Sequence, residues 1–294
     1  MTRILVVGSS VVDLVFQVSA FPARPEKHKA QDARIVGGGC AGNAAVAIAR
    51  LGGQARLATR VGDDLIGQMI LDDLTREGVD TGPSQVTQGG RSAFSSVYVT
   101  PDGERQIMAF RGAGLAPDLD RADLGSPAAV LADTRWDAAA RTALAHARAR
   151  GVPGVLDGEA PVAPALMGLA SHVAFSAQGL RDLTGAQDLD TGLRRVAKQT
   201  GAWVCVTDGA AGTYVWAGGR VEHFAAQPVD TIDTLGAGDI WHGAFALALG
   251  EGRGETDAVR FANAAASLKC SRPGGRAGAP GRAETDAFMQ GAAQ

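Results

Sequence analysis

Short apolar runs closed by glycine or a polar residue alternate along this chain with longer segments whose apolar positions recur every three or four residues. Residues 4–8, 55–61, 130–132, 154–157, 173–176 and 203–207 have the length and β-branched content of buried strands. Helical spacing covers residues 41–51, closed by Gly52-Gly53, residues 65–77, closed by Gly78, and residues 137–150. Two long helices, about 236–249 and 255–270, follow. Apolar strands alternating with helices predict an α/β fold: a doubly wound, mostly parallel sheet with helices on both faces. Two stretches break the alternation. Residues 11–36 carry Pro22 and Pro25 between alternating apolar segments, and residues 92–110 turn at Pro101-Asp102-Gly103. Their strands are expected to pair into a small β-sheet lid over the crevice of the main sheet, the alternative being two surface hairpins. No repeat or low-complexity linker divides the chain, so residues 1–294 read as a single domain with an inserted lid.

Composition narrows the function. The 294 residues carry a net charge of −3 and only 5% aromatics, which gives neither a basic footprint nor a stacking platform for nucleic acid. No apolar run reaches the length of a membrane span or a secretory h-region. Three dispersed cysteines, Cys40, Cys205 and Cys270, suit a reducing cytoplasm and form no CxxC metal motif. The 40 glycines stand out, since glycine lets backbone approach a ligand closely.

Glycines concentrate in two places. In Asp233-Thr234-Leu235-Gly236-Ala237-Gly238-Asp239, small residues precede a helix, so backbone N–H groups can face an anion at the helix N-terminus. Asp239 then falls in the first turn. It either caps the helix or accepts the proton of a hydroxyl attacking phosphorus. In Gly38-Gly39-Cys40-Ala41-Gly42-Asn43, a second helix start offers amides and one amide side chain to a polyhydroxylated ligand. Gly37, Gly39 and Gly42 also satisfy GxGxxG, with Asp63 beyond. That dinucleotide fingerprint is misplaced, because the first strand ends in Gly8-Ser9-Ser10 without it. GxxxxGK[ST] is absent.

These motifs resemble those of the ribokinase/PfkB-type carbohydrate kinases. Gly38-Gly39-x-x-x-Asn43 with Gly53 and Gly62 is similar to their N-terminal signature. Asp233-Thr234-x-Gly236-Ala237-Gly238-Asp239 is similar to their C-terminal one. Asp13, Val61-Gly62-Asp63 and Val206-Thr207-x-Gly209 fall in the family order, so the resemblance runs from about residue 3 to 281. It implies a ribokinase-like fold and ATP-dependent transfer of a phosphoryl group to a primary hydroxyl, here O1 of a ketose. Asp239 would be the base, with Gly236, Ala237 and Gly238 as the anion hole. Asp13, Gly39 and Asn43 would bind sugar hydroxyls. Thr207, Gly209 and Gly212 would line the nucleotide site, with Asn263 near the adenine. Asp233 and the loop 272–278 match a monovalent-cation site, taking K+ in many members. Mg2+ would arrive with ATP, but the family's Asn-x-x-Glu pair is replaced by Ser176-Ala177-Gln178-Gly179.

The segments around Lys27, Arg135, Phe175-Ser176, Trp241-His242 and residues 271–278 most resemble the 6-deoxy-6-sulfofructose kinases. In these, residues matching Lys27 and Arg135 grip the sulfonate, whereas a third, polar position is Ala109 here. Lys27 could equally be a solvated lysine, Arg135 a structural ion pair and His242 a packed helix residue. The competing substrate is a neutral sugar such as fructose or ribose. The competing classes are a non-catalytic sugar- or nucleotide-binding protein and an NAD-dependent oxidoreductase. The lid is expected to pair with its copy in a homodimer.

Overall fold

The computed structural model describes residues 1–120 and 124–291. Its elements run β1 (Arg3–Val7), β2 (Val11–Gln17), β3 (Asp32–Gly38), α1 (Cys40–Arg50), β4 (Gln54–Ala58), β5 (Arg60–Gly62), α2 (Leu65–Arg76), β6 (Gln85–Thr87), β7 (Phe94–Val99) and β8 (Arg105–Phe110). They continue with β9 (Ala129–Ala132), α3 (Asp137–Arg150), β10 (Gly154–Asp157), α4 (Pro164–Met167), β11 (His172–Ser176), α5 (Ala177–Thr184), α6 (Leu189–Thr200) and β12 (Trp203–Thr207). After these come β13 (Thr213–Ala217), β14 (Arg220–Phe224), α7 (Ala237–Gly250), α8 (Glu255–Cys270) and α9 (Arg282–Gly291).

The main sheet has the order β14-β13-β12-β11-β10-β9-β1-β4. Every pair from β4 to β12 is parallel, and β13 and β14 add an antiparallel edge. Buried apolar side chains cover both faces. On one lie α1, α7 and α8, with Ile48, Phe245 and Phe261; on the other lie α3, α5 and α6, with Leu144, Leu180 and Val196. Helix α7 is buried from Ile240 to Leu249, as a sequence apolar on all sides except at His242 requires.

The residues 11–36 and 92–110 supply a separate four-stranded sheet of order β3-β2-β7-β8. Its register sets Asp13 opposite Ser95, and Ser95 opposite Ala109. Two expectations needed correction. The strand expected over 55–61 is two: the chain leaves the main sheet at Thr59, and β5 pairs with β6 instead. The β13–β14 hairpin was not expected. Its turn is Gly218-Gly219, both with positive φ, the conformation that a two-residue hairpin turn demands.

Strand β1 pairs with β4 on one side and β9 on the other, so the strand order reverses between β1 and β9. A crevice opens beyond the carboxyl ends of the strands at such a switch point. Among the described residues no helix is long and apolar enough to cross a membrane.

Candidate active site

Helix α7 begins at this crevice. Gly236 is its N-cap, in the left-handed region with φ 76°, where a side chain would be strained. The Ala237 N–H closes a turn onto Thr234 O at 3.2 Å. The N–H groups of Gly236, Gly238 and Asp239 donate to no backbone carbonyl among the described residues. These three amides therefore suit an anion better than the expected Gly236–Ala237–Gly238 set, with the helix dipole adding to their field. Asp239 does not cap the helix with its side chain. Its Oδ2 accepts a 2.7 Å hydrogen bond from Asn43 Nδ2, across from the start of α1.

The surroundings hold Asp239 far from ordinary aspartate behaviour. Burial, then the negative charge of Asp157, raises its pKa from 3.8 to about 7, against the opposing pull of Asn43 and His242. Asp157 ends β10, is buried, and is itself raised by burial. His242 lies 3.7 Å from Asp157 Oδ1 and 3.2 Å from Ala174 O, one turn along α7 from Asp239. It is a buried helix residue beside the acid cluster. Glu159 completes the cluster: Cys40, Asp157 and Glu159 bring their ligand atoms within 4.8 Å of one another. Cys40 donates to Glu159 Oε2 at 3.3 Å, and burial together with the acids raises its thiol well above the usual range. A neutral thiol of this kind is no nucleophile.

Three of the expected sugar-binding residues, Asp13, Gly39 and Asn43, gather about the start of α1. Gly39 is the N-cap of α1, one turn before Asn43. Asn43 is buried, and its Oδ1 has no partner among the described residues, although Nδ2 holds Asp239. An orphaned buried acceptor beside a carboxylate is suited to a hydroxyl donor from a ligand. On β2, Asp13 accepts the Ser95 hydroxyl and packs against Gly38. Burial raises its carboxyl, opposed by Ser95 and Arg276. At the switch point Asp133 accepts Ser9 N–H at 2.7 Å and Arg135 N–H at 2.8 Å.

Other expected residues lie elsewhere or are engaged. The Arg135 guanidinium pairs with Glu159 at 2.9 Å and donates to Ala160 O at 3.0 Å, so it is not a cation awaiting an anion. Lys27 is exposed in the connection between β2 and β3. Thr207 ends β12, and Gly209 and Gly212 flank the 3-10 turn after it. Asn263, expected near the adenine, is engaged within the protein. It is buried; Oδ1 accepts from Thr213 Oγ1 and Trp241 Nε1, and Nδ2 donates to Phe224 O. It braces β13 and β14 against α7, and its amide has little capacity left for a nucleotide base.

Asp233, the expected cation ligand, is engaged as well. Asp233 Oδ1 accepts from Leu235 N–H at 2.8 Å and Arg105 Nη2 at 3.1 Å. Its Oδ2 accepts from Gly275 N–H at 2.9 Å and Gly274 N–H at 3.1 Å, and meets Lys269 Nζ at 3.2 Å. Burial pushes this carboxyl up, but the Gly275 and Leu235 amides and Lys269 outweigh it and hold it low. Lys269 Nζ also donates to Asp233 O at 2.6 Å. A carboxylate offers about four acceptor sites. Here they face donors from five groups, a donor set that does not fit K+.

The sequence reading missed Asp133, Asp157, Glu159, Arg105 and Lys269. The acids had one usable signal: each follows the carboxyl end of a predicted parallel strand.

The model of the pfkB family carbohydrate kinases matches residues 1–282. The ribokinase of Bacillus subtilis (strain 168) is 29% identical over 299 residues, which cover 98% of this chain and all of that protein. The fructokinase of Vibrio alginolyticus is 28% identical over 321 residues, covering 98% and 99% of the two chains. A crystal structure of a candidate ribokinase from Agrobacterium tumefaciens superposes with a TM-score of 0.92 at 37% identity, covering 99% of this chain and 98% of its own.

Proposed function

Since this chain belongs to the pfkB family of carbohydrate kinases, which transfer phosphoryl groups to alcohols, we propose that it phosphorylates a primary hydroxyl of a neutral sugar of the ribose or fructose type, using ATP. The observation that carries this reading is the Asn43–Asp239 contact at the open N-terminus of α7. It sets a base of pKa about 7 beside three amides that have no carbonyl partner.

In the proposed reaction Asp239 takes the proton from the sugar hydroxyl as its oxygen bonds the γ-phosphorus. The bond from that phosphorus to the bridging oxygen breaks, and ADP leaves with the electron pair. The amides of Gly236, Gly238 and Asp239 hold the transferred group where its charge is redistributed. Asn43 keeps Asp239 aimed, and its free Oδ1 accepts from a sugar hydroxyl. Asp13 and the Gly39 loop supply the remaining hydroxyl contacts. Asp157 and Glu159 are the residues that would hold Mg2+, which prefers their oxygens to the soft Cys40 sulfur. When bound with the nucleotide it would neutralise phosphate charge.

A neutral sugar is favoured over 6-deoxy-6-sulfofructose for two reasons. Arg135, the cation expected to meet the sulfonate, is already paired with Glu159 and donates to Ala160 O. The related ribokinase and fructokinase point the same way. The test is ADP release on ribose, fructose, phosphorylated fructose and sulfofructose, with product mapping of the phosphorylated oxygen. No sugar-dependent ADP release on any of them would refute the proposal. Faster turnover of a sulfonated ketose than of every neutral sugar would return the anion to the far end of the substrate.

A further inference from the structure

We propose that Lys269 is a built-in monovalent cation for the anion hole, so that this enzyme works without K+. The proposal rests on the kinase reading above for its activity assay, and on the geometry of Asp233 for its content.

Lys269 sits in the last turn of α8 with no exposed surface. A buried ammonium is costly unless charge and hydrogen bonds compensate it. Here both come from a single residue: the Asp233 carbonyl at 2.6 Å and carboxylate at 3.2 Å. These oxygens belong to the turn that leads into the anion hole, Asp233-Thr234-Leu235-Gly236. The same carboxylate fixes that turn through Leu235 N–H and ties it to Gly274 and Gly275. The backbone of Ile232 and Asp233 is anchored on Cys270 O, the residue after Lys269. Arg105 of the lid also reaches Asp233 and Thr234. Two cations and one anion leave net positive charge beneath the loop that must receive a phosphoryl group.

A K+ ion in this position would do two things: pin the turn by binding its oxygens, and add positive charge near the transferred phosphoryl. The Lys269 ammonium, similar in size to K+, does both while covalently attached. It is a positioning residue, since its ammonium contacts Asp233 and acts through it.

The experiment varies the only monovalent cation present, including the counter-ion of ATP, among K+, Na+ and choline at constant ionic strength. The wild-type protein is expected to keep kcat within about twofold in all three. Lys269→Ala, which removes the ammonium and its buried stem and opens room for a small cation, should lose about a hundredfold in kcat with little change in sugar KM. K+ or methylammonium should restore at least a tenth of the loss. Lys269→Met, which fills the cavity with apolar volume, should lose activity and gain nothing from either ion. Tenfold or greater activation of the wild type by K+, or wild-type kcat in Lys269→Ala with choline, overturns the proposal. Thermal melting of the same proteins reads the site independently of turnover. The wild-type Tm should match in K+ and choline, and the lowered Tm of Lys269→Ala should rise with K+ or methylammonium. A Lys269→Ala Tm indifferent to both ions overturns the assignment even if the kinase reading stands. A protein with no sugar turnover but this melting pattern fails the kinase reading alone.

Discussion

Replacing Asp239 by asparagine should slow the reaction and stabilise the fold together. The substitution keeps the side-chain volume, and an asparagine oxygen can still accept from Asn43 Nδ2, now at 2.7 Å. It removes the base, which typically contributes about 10²–10⁴-fold, or about 2.7–5.4 kcal/mol of barrier. It also removes a charge that the folded site disfavours. Raising a carboxyl from 3.8 to about 7 puts a ceiling of about 4 kcal/mol on that penalty. Asp157 shares it, so about 1–3 kcal/mol is expected, or several degrees of Tm. The sign follows from proton counting. Between about 3.8 and 7 the folded protein holds a proton that the unfolded chain has released, so ionising Asp239 lowers stability as pH rises through that window. Above about 7 the whole penalty is present. At pH 8 Asp239→Asn should therefore melt higher than wild type, and at pH 4 the two should nearly coincide. In kinetics, wild-type kcat/KM for sugar should fall as pH drops below about 7, and the variant should lose that limb. Steady-state assays and melting across pH 4–9 check both. A variant with near wild-type kcat refutes the base assignment; a variant that melts lower at pH 8 refutes the electrostatic reasoning.

Asn43→Ala removes a hydrogen bond to a charged group, so kcat should fall about 10–100-fold. Because that bond lowers the Asp239 pKa, the acid limb of kcat/KM should move to higher pH, as a pH–rate profile would show. Glu159→Gln frees the Arg135 guanidinium, and kcat/KM for sulfofructose relative to fructose should rise by about tenfold; an unchanged ratio means Arg135 does not face the sugar. Sugar should protect the amides of β2, β3, β7 and β8 from hydrogen exchange more than ATP does, and equal protection by both contradicts a sugar-driven lid. The lid leaves Ile35 62% and Met108 75% exposed on its outer strands; the expectation that this sheet pairs with its copy predicts a dimer in light scattering that Met108→Glu converts to monomer, and a monomeric wild type refutes it.

The six parallel strands were legible because each is a short run whose inner residues are mostly apolar and buried, and β9 and β11 are followed closely by helix patterns. Local pairing was less so. Nothing in the apolar run 55–61 marks Thr59 as the point where the chain changes sheets, since that choice is made by the distant partner β6. The Gly218-Gly219 turn did carry a hairpin signal, flanked by Tyr214, Trp216 and Val221, and it was overlooked. In the site, the residues legible from sequence lie at two helix starts, where glycine spacing has a physical meaning. Asp157 and Glu159 are single acids after a strand, and only the sheet brings them to Asp239 and Cys40. Lys269 was hidden differently. A lysine in a helix's last turn is ordinarily a surface complement to the helix dipole, and only burial at Asp233 distinguishes it.

The motif 233–239, which leads into α7 and forms its first turn, carries two aspartates whose environments are opposite. Asp233 is surrounded by amides, a guanidinium and an ammonium, which keep it ionised. Asp239 is surrounded by burial and a second carboxylate, which bring its proton affinity near neutrality. Titratable groups driven apart in this way mark a division of labour. The permanently charged Asp233 can organise backbone but cannot carry protons near pH 7, whereas Asp239 can gain and lose one there. The amides of Gly236 and Gly238 lie between them. One end of the motif therefore fixes the geometry in which phosphoryl charge is received, and the other supplies the proton acceptor. Exchanging the two environments would disable both roles without changing a residue of the motif.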